Sequence, residues 1–173
     1  MSQVEEKLGG PCITVGDHVN TDVVIPGRYL VSIDPVELAK HAFEPLGEEF
    51  QQRLYKSRVL VAGRNFGCGS AREQAATCLI GAGVKAVVAA SFARVFFRNA
   101  INTGLVAVQC PELVDDITDG DEIFIDLTAG KISAKGKTYG FSAYPENMQR
   151  ILDAGGLMPF VAGKLKEEQR QAQ

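Results

Sequence analysis

Short apolar segments alternate with amphipathic ones through the middle of the chain. Three of them are rich in small and β-branched residues, which predicts buried strands: RVLVAG (58–63), VKAVVAAS (84–91) and LVAVQC (105–110). Between them, AREQAATCLIGAG (71–83) and FARVFFRNAINTG (92–104) indicate helices that end at glycines. This alternation predicts a βαβαβ core, in which a parallel sheet is covered by helices.

The flanking segments follow other patterns. CITVGDHVNTDVVIP (12–26) begins as a short strand, passes through turn formers and ends in a strand-like VVIP. DPVELAKHAF (34–43) predicts a helix with Asp34 as its N-cap and proline at the first helical position. DEIFIDLTAGKISAKGKTYGFS (121–142) alternates apolar and polar residues around glycine-containing turns, which is typical of antiparallel strands.

PENMQRILDAGGLMPFVAGKL (145–165) predicts a helix that is broken at a pair of glycines, followed by a polar tail over about 166–173 that we expect to fray. No linker or internal repeat divides the chain. The sequence therefore predicts one α/β domain over residues 1–173, with a parallel βαβαβ core and an adjoining antiparallel β layer.

Bulk composition excludes several classes of protein. The 173 residues are 46% hydrophobic and 23% charged, in the range of a soluble globular domain. A net charge of -3 and a pI near 5.4 argue against a general nucleic-acid surface. No apolar run is long enough to span a bilayer, and the polar MSQVEEKLGG start does not resemble a secretory signal. We expect a cytoplasmic protein.

Four cysteines are spread along the chain without a CxxC pair or a Cys/His cluster at zinc spacing. We expect them to be free thiols in a reducing compartment. The sequence thus predicts no metal-binding or cofactor-binding residue on this chain. The cysteines are Cys12, Cys68, Cys78 and Cys110.

The segment RNFGCGSAREQ (64–74) follows the first predicted core strand and contains the strongest candidate chemistry. Ser70 and Glu73 match the capping box S-x-x-E, which would stabilise the next helix by ~1 kcal/mol without any further function. Alternatively, the glycines and a helix N-terminus form an anion site, in which Arg72 offers a bidentate fork to a carboxylate. The loop matches neither the P-loop nor the dinucleotide fingerprint. The spacing alone leaves both interpretations open.

Three ordered motifs resemble a known family. NFGCGSAREQA (65–75), GDHVNTDVVIPGRYL (16–30) and ILDAGGLMPFV (151–161) are similar to segments of 3-isopropylmalate dehydratase small subunits. Those subunits correspond to the swivelling C-terminal domain of aconitase-type hydro-lyases. The resemblance covers roughly residues 12–165. It implies the same swivelling β/β/α fold.

The resemblance also implies a mechanism that is shared between two chains. A large subunit would hold a [4Fe–4S] cluster, and this chain would close over it to isomerise 2-isopropylmalate to 3-isopropylmalate by dehydration and rehydration in leucine biosynthesis. Ser70 matches the catalytic base and Asp22 an aspartate of the proton-transfer network. Arg72 matches a residue that binds a substrate carboxylate. The resemblance also implies that Gly69, Thr21, Val31 and Ser32 belong to the substrate-binding group, Thr21 chiefly as a support.

Substrate choice in this family depends on the loop that follows RYL, here RYLVSID (28–34). Val31 and Ser32 occupy the place where an arginine is expected in isopropylmalate enzymes. Homoaconitase and 2,3-dimethylmalate or methylmalate hydro-lyases therefore remain alternatives. Two other classes also remain: a dicarboxylate-binding module without catalysis, and a structural subunit in which Ser70 only caps a helix.

Overall fold

The computed structural model describes residues 8–172, and its strands form one hydrogen-bonded mixed sheet. The strand order is β4-β3-β2-β1-β5-β6-β7. The first four strands are parallel and the last three continue the sheet in antiparallel fashion. The strands are β1 (Gly9–Val15), β2 (Val59–Ala62), β3 (Ala86–Ala89), β4 (Val106–Gln109), β5 (Glu122–Asp126), β6 (Lys131–Ala134) and β7 (Lys137–Gly140).

Eight α-helices surround this sheet in the described part of the chain, along with two short 3-10 turns at Gly27–Tyr29 and Glu44–Leu46. The helices are α1 (Thr21–Val24), α2 (Pro35–Ala39), α3 (Glu48–Lys56), α4 (Glu73–Gly81), α5 (Arg94–Thr103), α6 (Pro111–Asp116), α7 (Glu146–Asp153) and α8 (Leu157–Gln171).

The parallel strands are buried on both faces, as their unbroken apolar runs predict. On one face, Leu60 and Val87 share a core with side chains of α2–α5. On the other face, Val61 and Val88 share a second core with α6, α7 and the inward side of β5–β7. The predicted βαβαβ unit with an adjoining antiparallel β layer is therefore confirmed.

The antiparallel layer joins the parallel strands through β1, whose first residues pair with β5 while its remainder pairs with β2. Alternate residues of β5 and β6 face the second core and the others face solvent. The β6–β7 hairpin turns at Lys135 and Gly136, with φ of 52° and 73°. Two consecutive positive φ values are what a tight two-residue hairpin requires.

Three local expectations differ from the structure. The strand-like VVIP lies in and after the single helical turn α1, because the side chain of Asn20 accepts the N–H of Asp22 and starts a helix there. Helices α3 and α6 were not predicted. Most of the polar tail belongs to α8, which continues to Gln171. The predicted Asp34 cap and the break at Gly155-Gly156 are both confirmed.

None of the helices within residues 8–172 combines the length and apolarity that a membrane span requires.

Candidate functional site

Two segments that follow neighbouring parallel strands meet at the carboxyl edge of the sheet. Val15 and Ala62 are paired in register, so the chain leaves β1 and β2 side by side. Beyond them, the N–H of Gly67 donates to the carbonyl of Val19 at 2.9 Å, and the N–H of Thr21 donates to the carbonyl of Cys68 at 2.9 Å. The two motifs that carry the candidate residues are thus in direct contact.

Of the two interpretations of Ser70 that the sequence left open, the structure does not support the capping box. Helix α4 begins at Glu73, and the N-cap position belongs to Arg72, whose side chain makes no capping bond. Gly69 has a φ of +91° and turns the chain, which leaves Ser70 three residues before the helix. The Ser70 hydroxyl is exposed and takes part in no hydrogen bond with residues 8–172. It is therefore available for chemistry.

Arg72 is held in place by the segment that precedes it in sequence. Its side chain is only 14% exposed and forms an ion pair with Asp22, whose own side chain is 57% exposed. Nη1 also donates to the carbonyl of Ile25 at 3.1 Å. Both contacts use the same nitrogen, and the other N–H groups of the guanidinium make no hydrogen bond with residues 8–172. Gly27 lies beside this side chain, and a Cβ there would be in ordinary van der Waals contact with Nη2 at 3.5 Å.

Gly69 is required by its surroundings as well as by its backbone angle. A Cβ at this position would lie 2.7 Å from the side-chain amide of Asn20. The same amide accepts the N–H of Asp22 at 2.8 Å. Sequence analysis did not single out Asn20, although an asparagine before a short apolar turn is a recognisable helix start.

A further contact that the sequence analysis missed holds the beginning of the glycine loop, residues 64–72. Asp17 accepts the N–H of Arg64 at 2.7 Å and binds its guanidinium at 2.9 and 3.1 Å. The backbone bond from Arg64, followed by its side-chain bond, lowers the pKa of Asp17. The sequence could have indicated this contact through the positions of the two residues, because Asp17 and Arg64 each lie two residues beyond the end of a parallel strand.

The loop of Val31 and Ser32 lies beside the start of α4. Val31 is 94% exposed and Ile33 is 85% exposed, whereas Ser32 accepts the N–H of Asp34 at 3.2 Å. The side chain of Gln74 donates to the carbonyl of Leu30 at 3.4 Å and ties this loop to α4. The structure therefore places an apolar surface next to the glycine loop.

The turn before this loop is anchored by Glu44. This carboxylate accepts the hydroxyl of Tyr29 at 2.6 Å and pairs with Arg28. His41 stacks on Tyr29 with ring centroids 3.6 Å apart and contacts Glu44 at 3.0 Å. Arg28 is thus a surface residue with a partner of its own.

The thiols of the chain do not converge. Cys12, Cys78 and Cys110 are buried in separate elements, and burial raises the pKa of each, that of Cys12 to about 11. Cys68 is half-buried on the glycine loop. Across residues 8–172, no three His, Cys, Asp or Glu side chains gather as a metal site. These donors do not fit a four-thiolate cluster.

The arrangement brings together an exposed serine hydroxyl, a largely buried cation and an exposed carboxylate at one end of a parallel sheet. Open α/β sheets commonly bind their ligands at this edge. An anionic small molecule would find a guanidinium already oriented by Asp22. The chemistry that these groups allow is carboxylate binding with proton transfer.

Comparisons with known proteins identify the family of the chain. The family model of the Aconitase C-terminal domain matches residues 20–113. The 3-isopropylmalate dehydratase small subunit of Caldicellulosiruptor bescii is 52% identical over 154 residues, which are 88% of this chain and 93% of the relative. That of Moorella thermoacetica is 50% identical over 161 residues, covering 92% of this chain and 97% of the relative.

A crystal structure of 3-isopropylmalate dehydratase from Methanocaldococcus jannaschii superposes with a TM-score of 0.87 at 41% identity, covering 95% of this chain and 98% of that one. The fold implied by the sequence motifs is thereby confirmed. The chain belongs to the family of 3-isopropylmalate dehydratase small subunits, hydro-lyase subunits built on the aconitase C-terminal domain.

Proposed function

We propose that this chain is the catalytic small subunit of a hydro-lyase that isomerises 2-isopropylmalate to 3-isopropylmalate by dehydration and rehydration, a step of leucine biosynthesis. The observation that carries the proposal is the contact between the Asp22 segment and the glycine loop, which sets an exposed Ser70 beside an oriented Arg72. The names of the relatives give the class of reaction, a 3-isopropylmalate dehydratase, and the isomerisation follows from the family resemblance.

Ser70 acts as the base that removes the C–H proton next to a carboxylate. A serine is a strong base only as the alkoxide, which needs cations and N–H donors close by. Its hydroxyl is exposed and is not used to cap α4. The helix therefore does not compete with the reaction for this group.

Arg72 binds a carboxylate of the substrate through the N–H groups that its contacts with Asp22 and Ile25 leave open. A guanidinium can hold two carboxylates on different edges. Asp22 keeps the cation oriented before substrate arrives, and its exposed oxygen serves the proton-transfer network. Preorganisation of this kind lowers the cost of ordering the site during the reaction.

The partner is a large subunit that holds the [4Fe–4S] cluster through its own cysteines. The dispersed thiols of this chain support that division, because they do not fit the ligand set of a cluster. Once bound, such a cluster supplies a Lewis acid for the departing hydroxyl group. Free thiols on this chain also suit the reducing conditions of the cytoplasm.

The loop beyond Leu30 favours a substrate with an alkyl substituent. Val31 and Ile33 expose apolar surface, and the segment carries no cation that would pair with a third carboxylate. An isopropyl group matches this surface better than the additional carboxylate of homoaconitate. The proposal follows this side-chain chemistry and sets aside the expectation of an arginine at this place in isopropylmalate enzymes. Dimethylmalate and methylmalate have smaller apolar groups and would cover less of it.

The test is turnover by this chain mixed with its large subunit under anaerobic conditions. 2-Isopropylmalate, homoaconitate, dimethylmaleate and citraconate are offered in parallel. We expect turnover only with both chains, fastest with 2-isopropylmalate, and its loss in Ser70→Ala. Ser133→Ala, on the exposed side of β6, is the matched control.

The free energy of unfolding distinguishes a catalytic role of Ser70 from a role as a helix cap. Because the Ser70 hydroxyl has no partner among the described residues, Ser70→Ala should change the free energy of unfolding by less than about 0.5 kcal/mol. A lost cap would cost ~1 kcal/mol. Wild-type turnover in Ser70→Ala would refute the catalytic role. Substrate binding by the isolated chain, without turnover in the mixture, would instead indicate a dicarboxylate-binding module.

A further inference from the structure

The geometry points to Thr21 as a positioning residue. It orients the glycine loop through a hydrogen bond from its hydroxyl to the carbonyl of Ser70. This inference rests on the proposed role of Ser70 and adds a residue that acts on it from behind. Thr21 is only 1% exposed, so its side chain faces the interior of the protein and not a substrate. The expectation that Thr21 serves as a support is thereby given a specific partner.

The bond is unusual for its place in the protein. Thr21 and Ser57 are the buried polar residues among residues 8–172. The hydroxyl of Ser57 donates to Arg53 within one turn of chain, whereas that of Thr21 reaches Ser70 across 49 positions at 2.8 Å. A buried hydroxyl is costly unless it is bonded, and valine has the same shape without that cost. Threonine at this position therefore serves the bond.

The bond from Thr21 to Ser70 is also the last hydrogen bond between the two segments before α4 begins. The backbone ladder between the two segments ends where Thr21 donates to Cys68. Between Cys68 and Arg72, the contact from Thr21 to the Ser70 carbonyl is the one hydrogen bond found in the part of the chain that the structure describes. Without it, three exposed residues, 69–71, would have only the flanking backbone to hold them.

The contact determines an orientation as well as a position. A trans peptide is planar, with its C=O and N–H pointing in opposite directions. When Thr21 holds the Ser70 carbonyl toward the interior, the N–H of Ala71 must point away from Thr21. The same helical turn holds Asp22 through Asn20. Helix α1 is thus a common frame for Asp22 and Ser70.

Thr21→Val removes the hydroxyl and keeps the shape, whereas Thr21→Ser keeps the hydroxyl and loses a methyl group. In the complete enzyme, we expect Thr21→Val to lower kcat by about 10- to 100-fold with little change in KM, because a small misplacement of a reacting group has effects of this size. Thr21→Ser should restore most of kcat. Thr103→Val is the control, since that hydroxyl bonds only within its own helix.

A second measurement does not depend on activity. Hydrogen-exchange protection of the amides of Gly67 and residue 21, which donate across the two segments, should be lower in Thr21→Val than in Thr21→Ser or Thr103→Val. If Thr21→Val does not fold, Thr21→Ala and Thr21→Ser provide the same comparison. An equal loss of kcat in Thr21→Ser and Thr21→Val would overturn the inference. Wild-type kcat together with wild-type exchange in Thr21→Val would overturn it as well.

The two proposals fail in different ways. A fully active Ser70→Ala would remove the catalytic role of Ser70, while exchange protection at Gly67 and residue 21 would still report on the bond from Thr21. An inactive Ser70→Ala together with a fully active Thr21→Val would refute only the positioning role.

Discussion

Replacement of Gly67 by alanine should be among the most damaging single-methyl changes in this protein. Gly67 has a φ of +78°, a conformation that costs an L-residue roughly 1–2 kcal/mol. Its Cβ would also lie 2.8 Å from Cδ2 of Phe96 and closer still to that side chain's Cβ and Cγ. Phe96 is 2% exposed and packs edge-on against Phe66, with ring centroids 4.9 Å apart, so it has little room to retreat.

Overpacking of this kind costs typically 1–3 kcal/mol. Together with the backbone term, Gly67→Ala should lower the free energy of unfolding by roughly 2–5 kcal/mol, a large part of the ~5–15 kcal/mol typical of a folded domain. Gly136→Ala isolates the backbone term, because Gly136 has a φ of +73° and its Cβ would have nothing within 4 Å. That control should lose roughly 1–2 kcal/mol.

Urea unfolding of the isolated chain, followed by circular dichroism, measures both losses. The reasoning is refuted if the two variants are equally destabilised, since contact with Phe96 would then contribute nothing. A second check uses Phe96→Ala as the background. There the additional cost of Gly67→Ala should fall but stay above that of Gly136→Ala, because alanine removes the ring and keeps the Cβ of residue 96 that also crowds position 67.

Three further outcomes follow from individual contacts. A thiol reagent should label Cys68 quickly in the native chain and the other cysteines slowly, because burial raises the pKa of those three; a rapid phase that persists in Cys68→Ala would contradict this. Tyr144→Phe should lower the free energy of unfolding by about 1–3 kcal/mol, because the Tyr144 hydroxyl accepts the N–H of buried Ala107 and donates to its carbonyl. An unchanged midpoint of urea unfolding would be inconsistent with that pairing. Partial burial alone would raise the pKa of Asp119, but hydrogen bonds from Thr14 outweigh it and hold the pKa below the ordinary 3.8. This stabilisation is present above pH ~4 and is lost as pH falls through the lowered pKa, so the thermal midpoint should fall between pH 5 and 3, and less steeply in Asp119→Asn.

The sequence by itself determined the elements whose cause is local. Apolar runs of β-branched residues predicted β2, β3 and β4, since strands buried on both faces need such runs. Alternation with Ala-rich and amphipathic segments predicted α4 and α5, and hence the parallel topology. The order and spacing of three motifs were enough to indicate the family.

Only the tertiary structure decided what the residues of the glycine loop do. The pattern S-x-x-E allowed a cap as readily as an anion site, because capping is judged from four consecutive residues. The folded chain instead bonds the Ser70 carbonyl to Thr21, 49 positions away, and starts α4 at Glu73. Arg72 likewise forms its ion pair with Asp22 because the two segments are in contact. Contacts between distant segments leave no periodic trace in a single sequence, because they depend on where the parallel strands end.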